Sequence, residues 1–208
     1  MVKRKVKIAV LVSGGGTNLQ ALIDAEKNGT LSSGIITLVV SNKADAYALE
    51  RAKKEGIATA VTKDEAKLIR ILEDAKIEMI ILAGYLKVLS ADFCKLYENR
   101  IINVHPSLIP SFCGDGCYGL KVHEMALDYG VKVTGATVHY VNEVTDGGKI
   151  ISQKAVYVKE NDTPEKLQKR VMEQAEWIIL PKAAETVAVK IRNEERKQEW
   201  KIDYHTKP

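Results

Sequence analysis

The 208-residue chain is 46% apolar and 28% charged. These near-average globular proportions exclude a disordered or fibrous polypeptide and suit one α/β domain over 1–208, with a core at about 6–181. The net charge of +4 comes from Lys3, Arg4, Lys5 and Lys7, and the remaining basic and acidic residues balance at 27 each, so no nucleic-acid partner is expected.

No stretch has the length and apolarity of a membrane span, and the basic tip runs straight into a strand-like segment. Cys94, Cys113 and Cys117, an odd set, fit reduced thiols. A soluble, cytoplasmic protein with no membrane partner is the expectation.

The first two thirds of the chain alternate between strand and helix patterns. Val6–Val12 is apolar and ends in Ser13-Gly14-Gly15-Gly16. Leu19, Leu22 and Ile23 follow at helical spacing, and Thr17 with Gln20 reads as a capping box. Residues 35–40 form a β-branched strand, 44–54 a helix stopped by Gly56, 58–62 a short strand, and 64–75 a helix. Two further buried strands at 79–83 and 101–104 are separated by a helix near 91–97. This alternation predicts an open, mostly parallel, twisted sheet with helices on both faces.

The Pro- and Gly-bearing stretch 106–119 is too long for a routine connection and reads as a functional loop or lid. A helix near 120–129 comes next. Two long strands over 134–141 and 149–158 flank Asp146-Gly147-Gly148, which predicts an antiparallel extension near the C-terminal end. Thr163 and Pro164 open a helix whose apolar face is Leu167, Val171, Ala175, Ile178 and Ile179. The tail over 190–208, dense in both charge signs, reads as a solvated helix.

The turn after the first strand of such a sheet is an anion site, because glycines admit the ligand and the helix N-terminus presents free N–H groups. A dinucleotide fingerprint starting at Gly14 would need glycine where Leu19 stands. The second strand ends in Ser41-Asn42-Lys43, without an acid for a ribose, and no P-loop lysine follows the glycines. One phosphate on a small substrate fits better than a dinucleotide or ATP. A glycine turn without a ligand is the bland alternative.

Asn103 and His105 share one face at the carboxyl end of a buried strand. An amide beside an imidazole stabilises an oxyanion and handles a proton. Asp146, in a Gly-flanked turn, has the reach to raise the pKa of His105. By contrast, His139 reads as a packed strand residue, His123 lies on a helix after the long loop, and His205 is in the tail. Cys113 and Cys117 lack a second pair at zinc spacing, so no metal is expected.

Four segments carry a resemblance when taken together and in order. They are Ser13-Gly-Gly-Gly-Thr-Asn-Leu-Gln, Ala83-Gly-Tyr-Leu-Lys-Val-Leu-Ser, Asn103-Val-His-Pro-Ser-Leu-Ile-Pro-Ser-Phe, and Gly135-Ala-Thr-Val-His-Tyr-Val with Asp146-Gly-Gly. Over about 7–181 the chain resembles the phosphoribosylglycinamide formyltransferase family. The resemblance implies a Rossmann-like formyltransferase fold that transfers formyl from 10-formyltetrahydrofolate to the amine of glycinamide ribonucleotide in purine synthesis. It also implies small-molecule substrates, no metal, and a monomer or homodimer.

On that resemblance Asn103 would hydrogen-bond the formyl oxygen, His105 would be the general acid, and Asp146 would hold His105. Gly16, Thr17 and Asn18 match contacts to the substrate phosphate and ribose. Glu176 matches a substrate contact in the last helix, with Glu173 as the alternative register. Leu86, Lys87, Val88 and Leu89 match the folate pocket, together with Asn103. Asn142, Glu143, Val144 and Thr145 match the folate-binding turn, and Lys63 stands where the family has an arginine near the folate tail. The 111–119 segment is longer than in many relatives.

Formyltetrahydrofolate hydrolases, and formyltransferases acting on tRNA or sugar nucleotides, share the Asn-x-His and Asp core. The former usually add an amino-terminal regulatory domain and the tRNA enzymes a carboxyl-terminal one, so chain length and Pro106 after His105 favour the glycinamide enzyme. A non-catalytic nucleotide-binding module would keep its ligand after loss of Asn103 or His105.

Overall fold

The computed structural model describes residues 4–206, with side chains described as far as 194; Lys3 and the side chain of His205 lie outside that range. Seven strands form one sheet in the order β3-β2-β1-β4-β5-β6-β7. They are β1 (Val6–Val12), β2 (Gly34–Ser41), β3 (Ala58–Val61), β4 (Met79–Leu82), β5 (Ile101–His105), β6 (Val133–Tyr140) and β7 (Ile150–Tyr157). Strands β1 to β5 pair in parallel, and β6 and β7 extend the sheet antiparallel.

The helices are α1 (Thr17–Lys27), α2 (Tyr47–Lys54), α3 (Glu65–Asp74), α4 (Ala91–Leu96), α5 (Leu120–Tyr129), α6 (Pro164–Val171) and α7 (Trp177–Thr206). They cover both faces, as the alternation along β1 makes plain. Ile8, Val10 and Val12 enter the core packed by α1, α2, α6 and α7. Ala9 and Leu11 enter the opposite core, packed by α3 and α4. A strand buried on both faces needs the continuous apolar run seen at 6–12. The chain order reverses between β1 and β4, and open α/β sheets bind ligands at the carboxyl edge beside such a reversal.

Side-chain caps account for three of the helix starts. Asp64 accepts from Lys67 N at 2.7 Å, Ser90 from Phe93 N at 3.1 Å, and Thr163 from Lys166 N at 3.4 Å with Pro164 following. The expected capping box at Thr17 and Gln20 does not form. Gly16 is the N-cap at φ 72°, Thr17 Oγ1 lies 3.8 Å from Met172 Sδ, and the Gln20 amide bonds Arg51 and Asp24. Gly16 has to be glycine for packing, since a Cβ there would lie 2.6 Å from the Ala48 Cβ. Helix α2 starts at Tyr47 rather than 44.

Between α6 and α7 the chain makes a π-helical turn, Met172–Glu176. One extra residue in that turn rotates everything after it. Leu167, Val171, Ala175 and Ile179 are buried as expected, but Ile178 is displaced to a partly exposed position.

Candidate active site

The carboxyl ends of β4 and β5, the β6–β7 turn, loop 106–119 and the π turn surround a cavity of about 400 Å³. Strand β5 places Asn103 and His105 on one face, opposite His139 and Thr137 of β6. Asp146 caps the arrangement from a turn where its φ is 55°. That left-handed conformation costs a non-glycine residue roughly 1–2 kcal/mol, the kind of strain that accumulates at functional sites.

His105 Nδ1 lies 3.4 Å from Asp146 Oδ2, and Nε2 lies 2.8 Å from the Phe112 carbonyl. A carbonyl only accepts, so Nε2 carries a proton and Nδ1 is the nitrogen that titrates. The Gly114 N–H donates to Asp146 Oδ2 at 2.9 Å. Main-chain groups of the long loop therefore grip both members of the pair. Phe112 at φ 49° and Gly114 at φ 88° shape the loop for that grip.

His139 Nδ1–H donates to the Tyr140 carbonyl at 2.8 Å. Its Nε2 lies 3.2 Å from Asn103 Nδ2 and 3.5 Å from Asp146 Oδ1. His139 is packed within its strand as expected, and it also joins Asn103 to Asp146. The β6–β7 hairpin that carries Asp146 also lays His139 beside the strand of Asn103, a pairing that no short-range sequence pattern reports.

Burial pushes the His105 pKa down and outweighs the upward pull of Asp146 and the Phe112 carbonyl, so the net shift is below the ordinary value. The rise expected from Asp146 is present as one contribution but loses to desolvation. For Asp146, burial works upward, yet the two histidines beside it, His139 and His105, and the Gly114 N–H hold it below the usual carboxylate range. Burial raises Glu176, and the bond from Asn18 offsets only part of that rise.

The π turn sets the two glutamates apart. Glu176 is buried and accepts from Asn18 Nδ2 at 2.6 Å inside the cavity, whereas Glu173 is exposed and faces Lys169. Leu86, Lys87, Val88, Leu89, Asn142, Glu143, Val144 and Thr145 line the cavity. Of the glycine-loop residues only Asn18 does so; Gly16 packs on α2 and Thr17 borders a separate pocket between α1 and α7. Lys63 lines a shallow neighbouring pocket with Lys43 and Lys67, tied to the cavity wall where Lys87 Nζ donates to its carbonyl at 2.7 Å. Among the described residues no group of three or more His, Cys, Asp or Glu is placed to hold a metal ion, and no helix is long and apolar enough to cross a membrane.

The Formyl transferase family profile matches residues 6–184. The trifunctional purine biosynthetic protein adenosine-3 of Gallus gallus is 47% identical over 193 residues, 88% of this chain and 18% of that protein. A chloroplastic phosphoribosylglycinamide formyltransferase of Arabidopsis thaliana is 39% identical over 181 residues, 82% of this chain and 62% of that protein. The chain thus spans less than two thirds of the length of either. The crystal structure of glycinamide ribonucleotide transformylase 1 from Symbiobacterium toebii superposes with a TM-score of 0.82 at 38% identity, covering 89% of each chain.

Proposed function

The chain belongs to the formyl transferase family, and from that premise we propose that it transfers the formyl group of 10-formyltetrahydrofolate to the primary amine of glycinamide ribonucleotide, in the cytoplasm, as a step of purine synthesis. One observation carries this reading. Asn103, His105 and Asp146 line one cavity with a polar wall at Asn18 and Glu176 and an apolar wall at Leu86, Val88 and Leu89. The polar wall suits the acceptor and the apolar wall the donor.

Exposed Leu86, Val88 and Val144 suit the face of a flat pterin ring, and the 142–145 turn suits its polar edge. The main-chain N–H groups at Gly16, Thr17 and Asn18 open α1, where a helix favours a phosphate. Asn18 and Glu176 suit ribose hydroxyls. Lys63, beside Lys43 and Lys67, supplies positive charge toward an acidic tail on the donor.

In this mechanism the neutral amine attacks the formyl carbon and the carbonyl oxygen becomes an oxyanion. Asn103 Nδ2–H donates to it, and protonated His105 supplies a positive charge beside it. Asp146 stabilises the imidazolium, and His105 Nδ1 is the position where the proton exchanges. Collapse breaks the bond between the formyl carbon and the folate nitrogen and keeps the new bond to glycinamide. The attacking amine loses one proton and the folate nitrogen gains one.

Product analysis tests the reading. Purified protein is incubated with 10-formyltetrahydrofolate, with and without glycinamide ribonucleotide. Formylated nucleotide and tetrahydrofolate appearing only with both substrates is the expected result. Formate released equally without the nucleotide would make the chain a hydrolase.

A further inference from the structure

The transfer proposed above leaves one histidine of the cavity wall without a task. His123, in the first turns of α5, is 0% exposed, and neither ring nitrogen has a hydrogen-bond partner among the described residues. Buried polar groups are normally paired, and each exception calls for an explanation. An apolar ring would fill the same space without two orphaned nitrogens, so packing alone does not account for a histidine there.

Its surroundings point to a ligand. His123 lines the same cavity as His105, Asn18 and Glu176, close enough to His105 for charge on that ring to disfavour charge on His123. Asn18 Oδ1, on the same polar wall, is also buried and unpartnered, while Asn18 Nδ2 is committed to Glu176. Helix α5 packs on α6, and Gln168 of α6 and Met172 of the π turn also line the cavity. Burial holds the His123 pKa at about 4, so at neutral pH the ring offers one donor and one acceptor. That pair matches a hydroxyl or a neutral primary amine and does not match an anion.

We propose that His123 is a substrate-binding residue for the acceptor, its ring hydrogen-bonding the amine or a hydroxyl of the nucleotide and orienting the nucleophile beside His105. The inference rests on the formyl-transfer reading, in which this wall takes the acceptor.

Calorimetric titration of glycinamide ribonucleotide into wild type, His123→Leu and His123→Gln tests it, alongside steady-state KM values for both substrates. His123→Leu should weaken nucleotide affinity by about tenfold or more while leaving the KM for 10-formyltetrahydrofolate within about twofold. His123→Gln keeps a donor and an acceptor and should recover most of the loss. Unchanged nucleotide affinity in the Leu variant, a Gln variant as weak as Leu, or parallel weakening of both substrates would each overturn the proposal. Should His123→Leu not fold, His123→Phe, which also lacks both nitrogens, takes its place. A wild-type protein that binds the nucleotide but transfers no formyl group overturns the reaction, and the affinity ratios still judge His123. One that binds no nucleotide overturns both.

Discussion

Asn103 Nδ2 and His139 Nε2 face each other at 3.2 Å across the β5–β6 pair, and this contact fixes which end of the carboxamide points where. The Nδ1–H of His139 is given to the Tyr140 carbonyl, so its Nε2 accepts when neutral, and only the amide nitrogen of Asn103 can answer it. The second N–H of that nitrogen is left to meet an oxyanion. His139→Leu should therefore lower kcat about tenfold with little change in either KM, and Asn103→Ala, which removes the donor itself, about a hundredfold. A His139→Leu enzyme with wild-type kcat would show that the contact orients nothing of consequence.

Asp146 and burial pull the His105 pKa in opposite directions, and burial already wins. Replacing Asp146 with Asn removes the upward pull and leaves the desolvation. The folded-state pKa of His105 then falls further, so a rate that needs the imidazolium should decline at lower pH than in wild type. The alkaline limb of kcat against pH should shift to lower pH in Asp146→Asn. An unmoved limb would refute the role given to the carboxylate.

The loop predicts an effect on the opposite limb. Gly114 at φ 88° donates to Asp146, and a Cβ there would meet nothing within 4 Å. The cost of Gly114→Ala is therefore backbone strain alone, roughly 1–2 kcal/mol, relieved by moving the N–H away from the carboxylate. Losing that bond raises the Asp146 pKa, so the acid limb of the activity profile should move to higher pH. A melting temperature lowered by a few degrees with an unchanged acid limb would mean that the loop stabilises the fold without tuning Asp146.

Much of this site was legible because it lies where periodicity is strongest. The apolar run of β1, the Asn-x-His spacing at the end of β5 and the Asp-Gly-Gly turn each follow from a short-range rule. The misses have a different origin. Thr17 acts as a cap only if it is itself extended and outside the helix, whereas the left-handed Gly16 takes the N-cap position and puts Thr17 inside the first turn. Ile178 and the Glu173–Glu176 ambiguity both trace to the π turn, since a 3.6-residue period gives no notice of an extra residue in one turn. His139 and His123 belong to the cavity through strand pairing and helix packing across 36 and 18 residues from Asn103 and His105, which no local pattern reports.

Two buried groups of the cavity wall should tilt stability in opposite directions with pH. Glu176 has a folded pKa raised above 4.5, so the folded state binds its proton more tightly than the unfolded chain and loses stability as pH rises through that window. His123 falls from 6.5 to about 4 on folding. Here the unfolded chain binds the proton more tightly, and stability drops as pH falls through that window, by on the order of 3 kcal/mol. Urea unfolding between about pH 4.5 and pH 8.5 separates the two. Glu176→Gln should gain stability relative to wild type toward alkaline pH, and His123→Gln should gain it toward acid pH. A difference from wild type that stays flat across the range, in either variant, would mean that the replaced group does not titrate differently in the folded and unfolded chains.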